Sequence, residues 1–270
     1  MKNLLQYKTL IFDGLFWFFA ALTYGIALLA SLTFAQHFWN DVLWQNVLVI
    51  LFSYFIFIHT FILSIGFFRK LIQPKLVTGR MKVGVNKEYL GFALNSVFHG
   101  IFFTSPIAAQ TGILFYLATL YYRLMGMKVG RGVLFGSNIV IRQPELIEIG
   151  DNVVLGIGSI ISCHVTPNGK THIQGKIKIG NNSLLGSYAQ LAPDIEIGNN
   201  TVVGHRTHVY SGTKIGNNVQ IGMECRIGIG VTIPDNVVIK SNTVIKRGDK
   251  IQSGQTWEGN PARNMTKEKE

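Results

Sequence analysis

The sequence predicts a membrane α-helical N-terminal region followed by a left-handed parallel β-helix built from hexapeptide repeats. Two observations predict this fold class. An aliphatic residue returns at every sixth position in the second half of the chain, a period that belongs to neither a 3.6-residue helix nor a two-residue strand. The first half holds uncharged apolar stretches of about 21 residues, long enough to cross a hydrocarbon core of ~30 Å.

The six-residue repeat predicts short strands that each supply one inward aliphatic side chain. Gly or Asn beside the aliphatic residue lets the backbone turn the corner between triangular faces. Three hexapeptides make one coil, and stacked coils bury the aliphatic column that no coil could bury alone. The repeated positions are Ile179, Leu185, Leu191, Ile197, Val203, Val209, Ile215, Ile221, Ile227, Ile233, Ile239, Ile245 and Ile251.

The repeat extends towards the N-terminus with two interruptions. Ile149, Leu155 and Ile161 lie in phase with Ile179, and an earlier set is offset by two residues. The offset set is Val129, Phe135 and Ile141. We therefore expect a small insertion within "RQPELIEIG" and an extruded loop after His164, where "PNG" forms a turn.

The N-terminal half predicts two membrane spans, Gly14 to Phe34 and Val47 to Phe68. A cleaved signal peptide is the alternative for the first, but its apolar region is long and no small-residue cleavage site follows it. A third apolar stretch, 89–122, is broken by "TSP" and predicts interfacial or re-entrant helices, or a further hairpin. The predicted regions are 1–128 for the membrane part, 129–262 for the β-helix and 263–270 for a polar tail.

The net charge of +11 is concentrated beside the spans. Residues 1–128 carry ten Lys or Arg against three acidic residues, and the loop between the spans has no Lys or Arg. The positive-inside rule places the N-terminus and residues 69–88 in the cytoplasm, which predicts an integral inner-membrane protein whose β-helix faces the cytoplasm. Attraction to anionic lipid explains this charge, and no nucleic-acid-binding motif accompanies it. The two cysteines form no disulfide framework.

Three strings carry a resemblance to a known family. "ISCH" ends at His164, "IGNNSLLGS" runs from Ile179 to Ser187, and "GNPAR" runs from Gly259 to Arg263. Together they resemble the hexapeptide-repeat acyltransferases, in particular the sugar acetyltransferases, over residues 129–265. The apolar segments ahead of "YYRLMGMKVG" are more loosely similar to the terminal region of peptide-synthetase-like proteins. The resemblance implies a membrane-anchored acyltransferase acting on a hydroxyl or amine of a membrane-associated acceptor, such as a lipid-linked sugar or a surface polysaccharide precursor.

The resemblance implies that His164 and Ser187 are catalytic. A neutral imidazole can take a proton from the attacking hydroxyl or amine and pass it to the departing thiolate. The backbone N–H of Ser187 is implied as the donor to the tetrahedral oxyanion. A histidine that only caps a corner is the alternative for His164. A thiol nucleophile at Cys163 is disfavoured, because adjacent strand residues point to opposite faces.

The resemblance also implies acetyl-CoA or another acyl-CoA as co-substrate, no metal, and a homotrimer whose donor groove lies between neighbouring β-helices. Asp194 stands where a "PG" turn is usual in the family and is expected to adopt the left-handed conformation. The donor-binding residues implied are Gly186, Ser187, Gly204, Lys246, Arg247, Asn260, Pro261, Ala262 and Arg263.

Two other classes of protein stay open at this point. A non-catalytic trimeric scaffold tethered to the membrane would have the same repeats. A zinc carbonic anhydrase-like enzyme would use His164, His205 and His208 as ligands between subunits, although their spacing does not match that family. The sequence leaves the roles of His59 and His172 undecided.

Overall fold

The computed structural model describes residues 2–84 and 86–266, with side chains from residue 10 onward. The chain forms two compact units. One contains the chain up to Lys75 together with Leu90–Ala108, and the other contains Leu76–Tyr89 and the chain from Ala109 onward. Of the predicted polar tail, residues 267–270 lie outside the described residues. The predicted region boundaries stay predictions.

Two long apolar helices make up most of the first unit. Helix α1 spans Lys2–Phe38 and helix α2 spans Leu43–Ile72, so each contains one predicted span. Both are long and apolar enough to cross a membrane. The short connection is fixed by side-chain hydrogen bonds, since Asn46 Nδ2 donates to the Asn40 carbonyl oxygen at 2.6 Å and Asn46 Oδ1 accepts from the Asn40 N–H at 3.1 Å.

The apolar stretch 89–122 contains three helices. They are α3 (Lys87–Phe103), α4 (Pro106–Gln110) and α5 (Phe115–Leu124), with the break falling at the predicted "TSP". The fully buried ring of Tyr122 at the end of α5 stacks on Phe135 of the first coil, with centroids 5.1 Å apart. Helix α5 therefore covers the open end of the β-helix. The placement of α3 and α4 in or on a membrane stays a prediction.

Parallel strands stack in three sheets, which form the three faces of the β-helix. The first face contains Lys128–Val129, Ile147–Ile149, Ile177–Ile179, Ile195–Ile197, Lys214–Ile215 and Thr232–Ile233. The second contains Leu134–Phe135, Val154–Leu155, Leu184–Leu185, Val202–Val203, Gln220–Ile221, Val238–Ile239 and Thr256–Glu258. The third contains Val140–Arg142, Ile160–Ser162, Gln190–Leu191, His208–Val209, Arg226–Ile227 and Val244–Ile245.

The strand register confirms the predicted repeat and both of its interruptions. Strands pair with those 18 residues further on, as Ile179 does with Ile197, which is one coil of three hexapeptides. Val129 pairs with Ile149, and the two extra residues accommodate a 3₁₀ turn at Pro144–Leu146. Ile149 pairs with Ile179 because the extruded loop lies between them. The predicted left-handed β-helix fold class is confirmed.

The repeated aliphatic residues line the interior of the coils, with one exception at the C-terminal end. Ile251 lies outside any strand and is only half-buried. The last coil instead places Trp257 against Ile239 of the coil before it. Strand Arg263–Asn264 then folds back antiparallel on Thr256–Glu258. A short hairpin, and not a further hexapeptide, closes this end of the core.

Left-handed corner residues and side-chain ladders hold the coils in register. Asp194 adopts φ 64°, as predicted for the position where the family has "PG". Between the first and second faces, Asn217 Oδ1 accepts the N–H of Asn199 at 2.8 Å, and the Asn217 N–H donates to Asp235 Oδ1 at 2.7 Å. Each such bond satisfies a corner N–H that has no strand partner.

Asn217→Ala is expected to lower the free energy of unfolding by about 1–2 kcal/mol, because it removes the acceptor of the Asn199 N–H and the contact of Asn217 Nδ2 with Asp235. The thermal midpoint in detergent measures the effect. Lys214→Ala, an exposed change on the neighbouring strand, is the matched control and should change the midpoint little. Equal midpoints for both variants would show that the ladder adds nothing to stability.

Candidate functional site

The loop predicted after His164 is a β-hairpin that leaves the β-helix. Its strands are His164–Val165 and Thr171–Gln174. Asn168 Oδ1 fixes the turn by accepting the N–H of Thr171 at 2.8 Å. A third strand, Gly79–Lys82, pairs antiparallel with Thr171–Gln174. This third strand was not predicted, because its basic residues identify it only as a charged loop.

One face of this three-stranded sheet brings two histidines together. Paired residues of antiparallel strands project from the same face. His164 pairs with Gln174, and His172 pairs with Met81. Met81, His172 and Gln174 are buried and His164 is half-buried. Val165 projects from the opposite, exposed face.

Gln143 contacts the imidazole of His164. His164 Nδ1 lies 2.6 Å from Gln143 Oε1, and a carbonyl oxygen can only accept a hydrogen bond. Nδ1 therefore carries the hydrogen and Nε2 carries the lone pair. Gln143 is 3% exposed and immediately precedes the inserted 3₁₀ turn. Gln143 was not among the predicted site residues; the two-residue offset of the first coil was the one signal that marked its position.

His172 stacks on His164 and is itself held by two hydrogen bonds. The ring centroids lie 5.1 Å apart at an interplanar angle of 20°. His172 Nε2 donates to Gln174 Oε1 at 3.1 Å, so His172 Nδ1 accepts from the Thr166 hydroxyl at 2.9 Å. The rings of Tyr89 and His172 make a T-shaped contact, with centroids 5.6 Å apart. These contacts fix the plane against which His164 rests.

Burial keeps both imidazoles neutral near pH 7. Burial, and after it the charges of His172 and Arg142, lower the pKa of His164 to about 4. Burial also lowers the pKa of His172, and its hydrogen bond with Gln174 acts in the opposite direction. The fully buried Cys163 thiol has a pKa raised by desolvation. A buried thiol of raised pKa supplies little thiolate, which disfavours a nucleophilic role.

Ser187 lies at the corner between the second and third faces. It precedes the third-face strand Gln190–Leu191, whereas His164 follows the third-face strand Ile160–Ser162. The structure therefore does not bring Ser187 to His164 within one chain. Across the described residues the Ser187 N–H has no hydrogen-bond acceptor, and Gly156 packs directly on its nitrogen. The predicted oxyanion role of Ser187 stays a prediction.

Gly186 and Gly204 have a structural reason to be glycine. A Cβ at Gly186 would lie 2.6 Å from the backbone of Gly204, and a Cβ at Gly204 would overlap the backbone of Gly222. Coil stacking thus requires glycine at both positions. Their predicted contact with the acyl donor stays a prediction beside this structural role.

Gly204→Ala is expected to lower the free energy of unfolding by about 1–3 kcal/mol, because the added methyl group separates two coils. The thermal midpoint and the protease resistance of the β-helix measure the effect. Gly25→Ala in α1 is the matched control, since a Cβ there meets nothing within 4 Å. A Gly204→Ala protein as stable as wild type would mean that the coils yield at this corner.

Two of the predicted donor-binding residues lie in one exposed groove near the C-terminal end. Lys246 and Arg247 line it together with Arg226 and Tyr210. The Lys246 N–H donates to Asp249 Oδ2 at 2.7 Å, which fixes the turn that carries both cations. Arg226 was not predicted, because a single Arg in a repeat resembles any outward strand residue.

The "GNPAR" segment forms the turn of the C-terminal hairpin. Asn260 lines a second groove together with His208 and Arg226. The Asn260–Pro261 peptide bond is cis. Ala262 and Arg263 follow in the returning strand region. Arg226 lines both grooves, so the two sets of predicted donor-binding residues meet at this side chain.

The remaining histidines considered from the sequence belong to other elements. His205 meets the ring of Tyr188 edge-on at 5.7 Å, and His208 projects from the third face. His59 Nδ1 contacts the Phe55 carbonyl oxygen within α2 at 2.8 Å. The described residues contain no cluster of three or more His, Cys, Asp or Glu side chains that could hold a metal ion.

The geometry defines a hexapeptide-repeat β-helix with a histidine-bearing hairpin. Residues 176–211 match the model of the bacterial transferase hexapeptide (six repeats), and residues 212–247 match that of the hexapeptide repeat of succinyl-transferase. The predicted resemblance to the hexapeptide-repeat transferases is thereby confirmed for residues 176–247. No curated protein matches the sequence at a significant level.

Several solved structures are similar to part of the chain. UDP-N-acetylglucosamine O-acyltransferase from Moraxella catarrhalis is 19% identical, with a TM-score of 0.41, over 50% of this chain and 61% of that protein. The enzyme LpxA from Acinetobacter baumannii is 18% identical, with a TM-score of 0.38, over 51% and 62%. A perosamine N-acetyltransferase mutant from Caulobacter crescentus, solved with CoA and GDP-perosamine, is 17% identical, with a TM-score of 0.35, over 58% and 65%. The chain spans less than two thirds of each of these proteins.

Proposed function

We propose that this protein is a membrane-anchored acyltransferase that moves an acyl group, most simply acetyl, from coenzyme A to a hydroxyl or amine of a membrane-associated acceptor. The acceptor class proposed is a lipid-linked sugar or a surface polysaccharide precursor. The observation that carries the proposal is the neutral His164 imidazole at the base of a hairpin on a transferase-type β-helix. Its Nε2 carries the lone pair, because Nδ1 donates to Gln143.

His164 acts in this proposal as general base and then as general acid. Nε2 takes the proton of the acceptor hydroxyl or amine as its oxygen or nitrogen attacks the thioester carbonyl carbon. The tetrahedral intermediate collapses, the carbon–sulfur bond breaks, and the proton passes from Nε2 to the thiolate. The products are the acylated acceptor and free coenzyme A, with no covalent enzyme intermediate. The Ser187 N–H is the proposed oxyanion donor, a role that rests on the family resemblance.

The proposed donor site combines the corner glycines with the C-terminal grooves. Gly186 and Gly204 leave no side chain where the pantetheine arm would lie. Arg226, Lys246 and Arg247 offer cations for the phosphates of the nucleotide end. No metal has a part in this chemistry.

The proposed assembly is a homotrimer with its donor grooves between neighbouring β-helices. A difference between the first and second faces supports this assembly, because one exposes charged side chains and the other exposes apolar ones. The outward residues of the first face alternate in charge, as in the 2.7 Å ion pair between Lys128 and Glu148. The second face instead exposes a column of apolar side chains, which favours contact with a second copy. The column contains Leu134, Val154, Leu184 and Val202.

Two features support anchoring at the cytoplasmic face of the inner membrane. Helices α1 and α2 have the length and composition of membrane spans and expose large apolar side chains such as Trp17, Leu29 and Leu51. Basic residues follow α2, while the connection between the helices has none. Anchoring would hold the transferase where lipid-linked acceptors are found.

Transfer of labelled acetyl from acetyl-CoA into membranes tests the proposed function. Membranes containing wild type or His164→Ala at matched protein levels are extracted into lipid and glycan fractions. Label that depends on wild type establishes the transferase, and the labelled fraction gives the acceptor class. Equal label in both preparations would reject His164 as the base for acetyl transfer and favour the scaffold.

A further inference from the structure

Gln143 immediately precedes an insertion that lengthens its coil. The coils from Ile177–Ile179 onward repeat after 18 residues, but the coil that contains Gln143 runs over 20, from Val129 to Ile149. The extra length follows Gln143 as the 3₁₀ turn Pro144–Leu146. The side chain of Gln143 is buried and its Oε1 lies 2.6 Å from His164 Nδ1. A buried amide at the start of the insertion therefore contacts the imidazole.

The burial of its side chain sets Gln143 apart from other residues with the same backbone conformation. Its φ is 54°, in the left-handed region, and corner residues of the coils such as Tyr188, Arg206 and Glu224 adopt this conformation as well. Those three side chains are exposed. The side chain of Gln143 is instead 3% exposed and reaches the imidazole of His164.

The chemistry of an amide suits the surroundings of His164. The charge of Arg142 acts on the imidazole, the ring of His172 stacks on it, and the Tyr89 ring contacts that of His172. A carboxylate at this position would favour the imidazolium and so reduce the fraction of neutral base. An amide oxygen holds the hydrogen on Nδ1 without adding a charge.

We propose that Gln143 is a positioning residue that fixes His164 as the Nδ1–H tautomer, so that Nε2 serves as the base. The proposal of a base rests on the acyltransferase function proposed above. The tautomer itself is a property of the resting protein, and it can be measured without any substrate.

Nitrogen NMR of the full chain in detergent, labelled with ¹⁵N-histidine, tests the proposal. Long-range ¹H–¹⁵N correlations show which ring nitrogen carries the hydrogen, and loss of signals in His164→Asn assigns them. The wild-type His164 is expected to carry its hydrogen on Nδ1 and to stay neutral between pH 5 and 8. In Gln143→Asn the side chain is one methylene shorter and suits the left-handed backbone, so the fold is kept while the Nε2–H tautomer appears.

Gln143→Glu keeps the reach of the side chain and adds a charge. The midpoint of His164 protonation is expected to rise by about 1–3 pH units, because an opposite charge favours the imidazolium. Gln220→Asn, an exposed glutamine on the second face, is the control and should leave His164 unchanged. An unchanged tautomer in Gln143→Asn together with an unchanged midpoint in Gln143→Glu would overturn the proposal.

The activity of the same variants separates this proposal from the function on which it rests. If wild type transfers no acetyl, the proposed function fails while the NMR result still decides the role of Gln143. If wild type is active, Gln143→Asn should lower kcat with little change in KM for acetyl-CoA. Gln143→Glu should move the acid limb of the pH profile to higher pH. A merely structural role would move neither the tautomer nor this limb.

Discussion

His164→Ala is expected to lower kcat/KM for acyl transfer by a factor of about 10²–10⁴, the usual effect of losing a general base. The loss should fall mainly on kcat, because the imidazole moves a proton in the transition state and does not hold the donor. Single-turnover transfer from labelled acetyl-CoA by the full chain in native membranes measures it. His37→Ala, an exposed change at the end of α1, is the matched control and should retain wild-type activity.

The pH profile gives this prediction a second readout. Burial lowers the pKa of His164 to about 4, so the base stays unprotonated well below its ordinary value of 6.5. The acid limb of kcat/KM for a hydroxyl acceptor is therefore expected near pH 4, with a plateau through neutral pH. An acid limb near 6.5 would show that a solvated histidine, and not His164 in this setting, is the base. Retention of full activity by His164→Ala would remove it from the mechanism.

The periodic part of the fold could be predicted from sequence because each hexapeptide repeats the same physical constraint. An aliphatic residue such as Leu185 is buried only when it points into the coil. A glycine such as Gly204 leaves space for the backbone of the next coil. The offset at Val129 and the loop after His164 were visible as breaks in the period. Ile251 falls at the six-residue period but lies in no strand, because Trp257 of the C-terminal hairpin takes the position next to Ile239.

The candidate site was less predictable, because its contacts join distant segments without a period. His164 was found through its place at the loop base. Strand Gly79–Lys82 and the residue Gln143 were not found, because each depends on a pairing that the local sequence does not encode. Ser187 was assigned through resemblance alone, and within one chain it lies at a different corner from His164. The repeats therefore predict the geometry of the coils, whereas the contacts of His164 come from segments that interrupt the repeats.

Val203→Asp is expected to prevent folding of the β-helix, while Val202→Asp is expected to leave it folded. The two residues are adjacent in one second-face strand. In the next coil, Val202 pairs with Gln220 and Val203 pairs with Ile221. Val203 is 0% exposed, and Val202 is 38% exposed. Adjacent strand residues point to opposite faces, so the same carboxylate meets the dry core in one variant and solvent in the other. Burying an unpaired carboxyl group, even in its neutral form, costs several kcal/mol, which is a large part of the ~5–15 kcal/mol by which a domain is stable.

Protease resistance and the thermal midpoint in detergent compare the two variants, and light scattering gives their oligomeric state. Val203→Asp should lose the resistant β-helix, whereas Val202→Asp should retain it. If the apolar column of the second face joins copies of the chain, Val202→Asp should also dissociate the proposed trimer. The reverse order of stability would mean that the strand register is shifted by one residue. A folded, still trimeric Val202→Asp would instead assign the contact between copies to another face, because a carboxylate cannot be buried unpaired in an apolar interface.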